Sequence, residues 1–137
     1  MFKNPETDQI ARLLREIKTI AVVGLSPKEN RPSHRVARGM QGFGYRVIPV
    51  RPAVSEVLGE KAYPNLSAVP HAVDLVDVFR APEHVGEIVD ECIRLGVKRL
   101  WLQDGVVDEQ AAQRAVAAGI TVVMDRCIWR DCMALCT

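Results

Sequence analysis

A polar loop follows the first strongly apolar run of the sequence, and its residue types suit phosphate binding. The run "TIAVVG" (19–24) is typical of a buried strand, and a helical pattern begins at Ser33, whose side chain we predict to cap that helix. The residues of this loop that could contact an anion are Gly24, Ser26, Lys28, Arg31 and Ser33. Glycine permits a tight exit from the strand, and hydroxyls, cationic side chains and the first amides of a helix all bind phosphate.

The loop matches neither of the common phosphate-binding motifs. Its sequence "GLSPKENRPS" is not G-x-G-x-x-G and has no Gly-Lys-Ser ending. An ordinary strand-to-helix turn with a few exposed basic residues has the same composition. The loop alone therefore leaves both interpretations open.

The second strand pattern ends in a basic residue where NAD-binding folds have an acidic one. The run "YRVIPV" (45–50) is followed by Arg51 and Pro52. An acidic residue about 20 positions beyond the glycine loop holds the ribose hydroxyls of NAD, whereas a basic residue suits a phosphorylated ribose. Arg51 therefore favours NADP or coenzyme A over NAD, unless it is simply a solvated surface arginine.

The third strand pattern, "VDLVDVF" (73–79), ends in an aromatic residue that an arginine follows. Phe79 offers a flat face and Arg80 a charged hydrogen-bond donor, a combination that can contact a nucleotide and its phosphate. The competing interpretation is an ion pair of Arg80 with Glu83 or Asp77.

No arrangement of residues indicates a catalytic centre. His34, His71 and His84 have no nucleophile or carboxylate at a spacing typical of a triad. We interpret them as surface or binding histidines. The sequence accordingly favours a binding module over a stand-alone enzyme.

The four cysteines are expected to be reduced, because a chain of 137 residues can fold without disulfides. Cys127, Cys132 and Cys136 crowd the C-terminus, but they form no C-x-x-C pair and have no nearby histidine, so we predict no metal site. Buried thiols are the simplest interpretation. The other is that Cys127, directly after the fifth strand, reaches the thiol end of a bound coenzyme A.

Composition limits the class of protein. The chain has the length of one domain, and we treat 1–137 as a single domain. Its net charge of +1 gives no reason to expect nucleic acid or an anionic membrane as partner. Its apolar runs are much shorter than a bilayer span and its N-terminus lacks a signal-peptide core, so we expect a cytoplasmic location.

Alternating strand and helix patterns predict an α/β fold. Two further strands, at 98–103 and 120–125, complete five. The helices expected between the strands include one opened by Pro82, one capped by Asp108 and an N-terminal one at 7–17, and a short helix is expected near Ser55. We predict a Rossmann-like, doubly wound, five-stranded parallel sheet with strand order 3-2-1-4-5.

Six segments in succession resemble the CoA-binding domain family, the Rossmann-like family similar to the N-terminal domain of the succinyl-CoA synthetase alpha subunit. They are "IAVVGLSPKENRPSHRVARGM", "GYRVIPVRP", "GEKAYPNLSAVP", "DLVDVFRAPEHV", "LWLQDGV" and "AAGITVVMDRC". The resemblance covers about residues 8 to 130. It implies a sheet that binds coenzyme A at the carboxyl ends of its strands.

The resemblance also implies which residues meet each part of the cofactor. Those expected around the pyrophosphate are Gly24, Leu25, Ser26, Lys28, Arg31 and Ser33. Those expected at the adenosine and its 3′-phosphate are Val50, Arg51 and Pro52, and those beside the nucleotide are Phe79, Arg80, Ala81 and Pro82. Gln103 to Val106, with Gly105 among them, are expected toward the pantetheine arm. The family often has Asn where this chain has Arg51, so the ribose contact is expected to differ.

Taken together, the residues and the resemblance predict a protein that binds coenzyme A or acyl-CoA without an evident catalytic constellation. The alternative is a small NADP-dependent or CoA-thiol/disulfide redox enzyme that uses the same crevice. A partner domain or a homodimer is also possible, the latter because Trp129 is expected to be exposed.

Overall fold

Five parallel strands form the central sheet of the computed structural model, which describes residues 1–136. They are β1 (Thr19–Val23), β2 (Arg46–Val50), β5 (Leu75–Val78), β6 (Arg99–Leu102) and β7 (Thr121–Met124). Most of their residues are buried, and β5 is buried at all four positions, because helices cover both faces of the sheet. The predicted α/β, Rossmann-like class is confirmed.

Five helices flank this sheet. They are α1 (Thr7–Glu16), α2 (Pro32–Gly42), α3 (Val85–Leu95), α4 (Glu109–Ala117) and α5 (Ile128–Leu135). The apolar sides of α1, α2 and α5 share one core with one face of the sheet, and those of α3 and α4 share a second core with the other face. Each helix is amphipathic, so burial of its apolar side drives the packing.

Local signals at the helix ends are partly as expected. The Asp108 side chain accepts a hydrogen bond from the Ala111 N–H at 3.0 Å, which confirms the predicted N-cap of α4, and Gly96 ends α3 in the left-handed region. The expectation for Ser33 was wrong, because α2 begins at Pro32 with Arg31 as its N-cap. Pro32 has no N–H and a fixed φ, and both favour the first helical position.

The order of the strands in the sheet is β2-β1-β5-β6-β7. Counted along the chain this is 2-1-3-4-5, whereas the expected order, 3-2-1-4-5, put the third strand outside the second. The outer edge of β2 is occupied instead by Tyr63, whose N–H donates to Pro49 O and whose carbonyl accepts from Arg51 N–H. The third strand, β5, pairs with β1 along Ile20–Val23. Both orders belong to the doubly wound class.

The segment between β2 and β5 has no α-helix. A two-stranded hairpin, β3 (Glu56–Val57) and β4 (Glu60–Lys61), stands where a short helix was expected, and that expectation was wrong. Leu58 and Gly59 adopt positive φ in the two-residue turn, which is the geometry of a tight hairpin.

Within residues 1–136, no helix is both long enough and apolar enough to span a bilayer.

Candidate functional site

A cleft of about 930 Å³ opens at the carboxyl ends of β1, β2, β5 and β6. β1 lies between β2, the next strand along the chain, and β5, the strand after the hairpin. The direction in which strands are added to the sheet therefore reverses at β1, and the cleft lies at this topological switch point. Its lining residues are Gly24, Ser26, Arg31, Pro32, Ser33, Val36, Val50, Arg51, Pro52, Phe79, Arg80, Ala81, His84, Gln103, Asp104, Val106 and Cys127. They lie at or after the carboxyl ends of β1, β2, β5, β6 and β7, and such convergence of several segments is typical of ligand sites in this class of fold.

Gly24 forms the floor of the cleft where β1 ends. Its φ is +87°, and a Cβ built on it would collide with the carbonyl oxygen of Phe79 and lie 3.0 Å from Arg80 Cδ. The Phe79 N–H donates to Val23 O at 2.9 Å, which holds the two strand ends together. Only glycine fits this approach of two backbones without strain.

Two buried serines brace the loop that follows Gly24. The Ser26 N–H donates to Ser33 Oγ at 3.0 Å, and the Lys28 N–H donates to Ser26 Oγ at 3.1 Å. Ser33 therefore ties the loop to the first turn of α2 rather than capping that helix. In the first turn of α2, Pro32 has no N–H, and the His34 and Arg35 N–H groups both donate to Arg31 O. Within residues 1–136 this leaves the Ser33 N–H, at the cleft, as the amide of this turn that can bind an anion.

Three arginines give one end of the cleft a positive charge. Arg31 is exposed, whereas Arg51 and Arg80 are half-buried. Arg51 Nη1 donates to Gly24 O at 3.3 Å, which holds this guanidinium over the loop. Among residues 1–136 none of the three has a carboxylate within 4.0 Å, so the ion pair considered for Arg80 does not form.

The opposite end of the cleft is nearly uncharged. Gln103, Val106 and Cys127 line it, and the Gln103 side chain accepts a hydrogen bond from the Ile128 N–H through Oε1 at 3.1 Å. Asp104 lies at the rim, where its two oxygens accept from Arg130 at 2.8 and 2.9 Å. That hydrogen-bonded guanidinium lowers the pKa of Asp104 below its ordinary value. The cleft as a whole is positive at its β2 end and neutral at its β6 end.

Most residues named from the sequence lie together in this cleft, and four do not. Leu25 is fully buried in the core, and Lys28, Pro82 and Gly105 are exposed outside the lining. Lys28 contributes its backbone N–H to the serine loop, and Pro82 begins a 3-10 turn, Pro82–His84, that precedes α3.

Sequence reasoning missed Pro32, Val36 and His84 as lining residues. For Pro32 and Val36, the signal that could have found them was their place in the first turns of α2, directly after the loop. His84 reaches the cleft because the 3-10 turn places it one residue before α3.

Two buried polar side chains, those of His34 and Asp77, do not line the cleft. His34 is buried in α2, not at the surface as expected, and its Nδ1 has no hydrogen-bond partner in the described chain. Asp77 in β5 is 1% exposed, and its Oδ1 likewise has no partner. Burial raises the pKa of Asp77 well above its ordinary value, although a backbone hydrogen bond from Val78 acts in the opposite direction.

The expectation of four reduced cysteines was wrong for one pair. Cys132 and Cys136 are joined by a disulfide one turn apart on the C-terminal helix, with a Cα–Cα distance of 4.9 Å. Cys92 and Cys127 are free and buried. Trp129, expected to be exposed, packs against Gly39 of α2.

Comparison with known proteins agrees with the fold. The family model described as "CoA binding domain" matches residues 18–132. The chain is 40% identical over 127 residues to the uncharacterized protein YneT of Bacillus subtilis (strain 168), covering 93% of this chain and 94% of that protein.

One solved structure of similar size and one much longer chain superpose on this protein. A hypothetical protein from Pyrococcus horikoshii OT3 has a TM-score of 0.93 at 33% identity, with 100% of this chain and 99% of that chain covered. The apo form of a dinucleotide-forming acetyl-coenzyme A synthetase 1 from Ca. Korarchaeum cryptofilum has a TM-score of 0.71 at 26% identity, with 82% of this chain covered. This chain spans only 28% of that synthetase.

A ligase relative is likewise much longer. The ADP-forming acetate–CoA ligase I of Archaeoglobus fulgidus is 26% identical over 121 residues, which is 81% of this chain and 18% of the ligase. The matched part is the size of one domain.

Proposed function

Because the chain belongs to the CoA-binding domain family, we propose that it binds coenzyme A or an acyl-CoA in the cleft at the carboxyl ends of β1, β2, β5 and β6. The observation that supports this most directly is the uneven charge of the cleft. Coenzyme A has a phosphorylated nucleotide at one end and an uncharged pantetheine arm ending in a thiol at the other. The three arginines suit the first part, and Gln103 and Val106 suit the second.

In this proposal each phosphate has a matching group. The pyrophosphate lies over Gly24 and the first turn of α2, near Arg31 and Arg80. Arg51, at the end of β2, meets the ribose 3′-phosphate. The adenosine packs beside Phe79 and Pro52.

The proposal extends to binding and not to the ligase reaction. The chain covers 18% of the length of the acetate–CoA ligase that it resembles, so residues for the ligase chemistry can lie in parts of that protein to which this chain has no match. Within residues 1–136 Asp104 is the one carboxylate that lines the cleft. Arg130 holds it and lowers its pKa, which makes it a poor proton donor or acceptor near neutral pH.

A thermal-shift experiment with CoA, acetyl-CoA, dephospho-CoA and NADP, each in the presence of a non-thiol reductant, tests the proposal. A ligand at about 100 times its Kd stabilises the folded chain by about 2.7 kcal/mol, a readily measured change in Tm. We expect CoA and acetyl-CoA to raise the Tm more than dephospho-CoA, because only the first two carry the 3′-phosphate. A response to NADP alone would overturn the proposal in favour of a NADP-dependent redox enzyme.

A further inference from the structure

Cys127 provides a free thiol at the neutral end of the cleft. It is the N-cap of α5, it is 8% exposed, and it is one of the residues that line the cleft. The N-terminus of a helix stabilises negative charge, and cysteines in such positions act as nucleophiles in many proteins. A ligand whose charged end lies at Arg51 would extend its other end toward this side chain.

Gln103 is a second, independent sign that a ligand group belongs here. The residue is 3% exposed and its Oε1 is occupied by the Ile128 N–H. Its Nε2 donates to no acceptor within residues 1–136 and, unlike His34 Nδ1 and Asp77 Oδ1, is not enclosed by protein, so this amide nitrogen is open to the cleft. Because Gln103 lines the cleft directly beside the start of α5, this unused donor faces the space that the end of a ligand would occupy.

The segment that precedes α5 holds Cys127 in a defined position. Asp125, at φ +61°, accepts a hydrogen bond from the Gly105 N–H at 2.7 Å, and the indole of buried Trp101 donates to Arg126 O at 2.8 Å. Arg126 in turn donates to both oxygens of Asp131 at 2.7 and 2.8 Å. The thiol therefore lies at a fixed distance from the cleft floor rather than on a loose loop.

The other cysteines lie away from the cleft. Cys92 lies on the buried side of α3, and burial raises its pKa to about 12, so its thiol is inert at neutral pH. Cys132 and Cys136 are joined to each other and neighbour Tyr45 on another side of the chain.

We propose that Cys127 forms a mixed disulfide with coenzyme A seated in the cleft, a step that rests on the proposed function. The Cys127 thiolate attacks one sulfur of CoA disulfide, which is the oxidant. The sulfur–sulfur bond of CoA disulfide breaks, and a bond forms between Cys127 Sγ and the sulfur of the CoA in the cleft. The second CoA leaves as a thiolate and takes up the proton that Cys127 lost, so atoms and electrons balance. Any small thiol reverses the step.

Intact-mass measurement of the full chain incubated with CoA disulfide tests this inference. We expect one adduct, heavier by one CoA minus two hydrogen atoms, that a reductant removes. The adduct should be lost in Cys127→Ser and Cys127→Ala, whose folding is checked by their thermal transitions. It should persist in Cys92→Ala and in the double variant Cys132→Ser with Cys136→Ser.

Two comparisons distinguish reaction inside the cleft from the reactivity of an exposed thiol. Oxidised glutathione lacks the nucleotide, so we expect its adduct to form on the order of tenfold more slowly at equal concentration. Adenosine 3′,5′-bisphosphate, which lacks the thiol, should compete for the cleft and slow the CoA adduct. Equal rates with both disulfides, or no effect of the competitor, would overturn the inference.

The same samples separate failure of this inference from failure of the proposed function. If CoA raises the Tm under reductant but CoA disulfide leaves no adduct, or leaves one that survives in Cys127→Ser, the mixed disulfide is wrong and the binding proposal stands. If CoA has no effect on Tm under reductant and an adduct on Cys127 forms with either disulfide at the same rate, both are wrong.

Discussion

The carbonyl oxygen of Phe79 lies where a side chain on Gly24 would have to project. The two residues end neighbouring parallel strands, and Gly24 adopts φ +87° at that point. Any Cβ at this position would meet both a collision and a disfavoured backbone conformation. The ends of β1 and β5 can therefore approach each other only because residue 24 has no side chain, and Gly24 at this approach lines the cleft.

Gly24→Ala should destabilise the fold and abolish CoA binding. We expect the free energy of unfolding to fall by roughly 2–4 kcal/mol, from the left-handed backbone and the forced separation of β1 and β5. Denaturant unfolding measures the loss. Gly44→Ala is the matched control, since Gly44 has φ +97° with open space around it, and it should cost only about 1 kcal/mol. Equal losses in the two variants would contradict the close approach.

Gly39→Ala should loosen the packing of α2 against α5. A Cβ on Gly39 would overlap the indole of Trp129, so either the ring or α5 must move, at a cost of roughly 1–3 kcal/mol. Gly42 lies in the same helix with nothing within 4 Å, so Gly42→Ala should leave stability unchanged or raise it. Urea unfolding followed by tryptophan fluorescence checks both variants, and a neutral Gly39→Ala would show that the two helices do not meet as closely as described.

How much the sequence predicts depends on whether a feature is local. The cleft follows from strand ends and the loops after them, so Arg51, Phe79 and Gln103 could be placed from their positions in the chain. Strand order is not a local feature. Right-handed crossovers allow the third strand on either side of the first two, so the sequence does not decide between the two orders. In the structure Tyr63 occupies the outer edge of β2 through backbone hydrogen bonds, and no residue type encodes such bonds.

Two further errors, one at the cleft and one at the C-terminus, have local causes that sequence patterns do not resolve. Ser33 has the residue type of an N-cap, but Pro32 before it takes the first helical position and leaves the Ser33 hydroxyl to brace the loop. The spacing of Cys132 and Cys136 puts both on one side of a helix, yet spacing does not reveal whether two neighbouring thiols are joined.

Arg51→Gln should weaken CoA binding by about tenfold, because it removes a charged hydrogen-bond donor from a half-buried position. Isothermal titration gives the Kd. Dephospho-CoA lacks the 3′-phosphate, so its affinity should barely change in the same variant. Arg38→Gln is the matched control, since Arg38 is exposed on α2 and does not line the cleft. Equal loss of affinity for CoA and dephospho-CoA would assign Arg51 to a different phosphate.

Asp77→Asn should stabilise the protein at neutral pH and have little effect in acid. Burial raises the pKa of Asp77 in the folded chain well above the ordinary value of 3.8. As the pH rises above about 4, the unfolded chain releases this proton while the folded chain retains it, so the unfolded state binds fewer protons and the free energy of unfolding falls. Asparagine is uncharged and similar in shape, so the variant lacks this loss.

Unfolding free energies of wild type and Asp77→Asn between pH 4 and pH 8 measure the difference, which should grow with pH and then level off once Asp77 ionises in the folded chain. Asp104→Asn provides a control of opposite sign. The pKa of Asp104 is lowered by Arg130, so wild type should gain stability over this variant as the pH rises toward about 4, and this control therefore needs measurements that extend below pH 4. The gain should be small, because both side chains of that ion pair are more than half exposed. A difference between wild type and Asp77→Asn that does not vary with pH would mean that Asp77 is ionised in the folded protein.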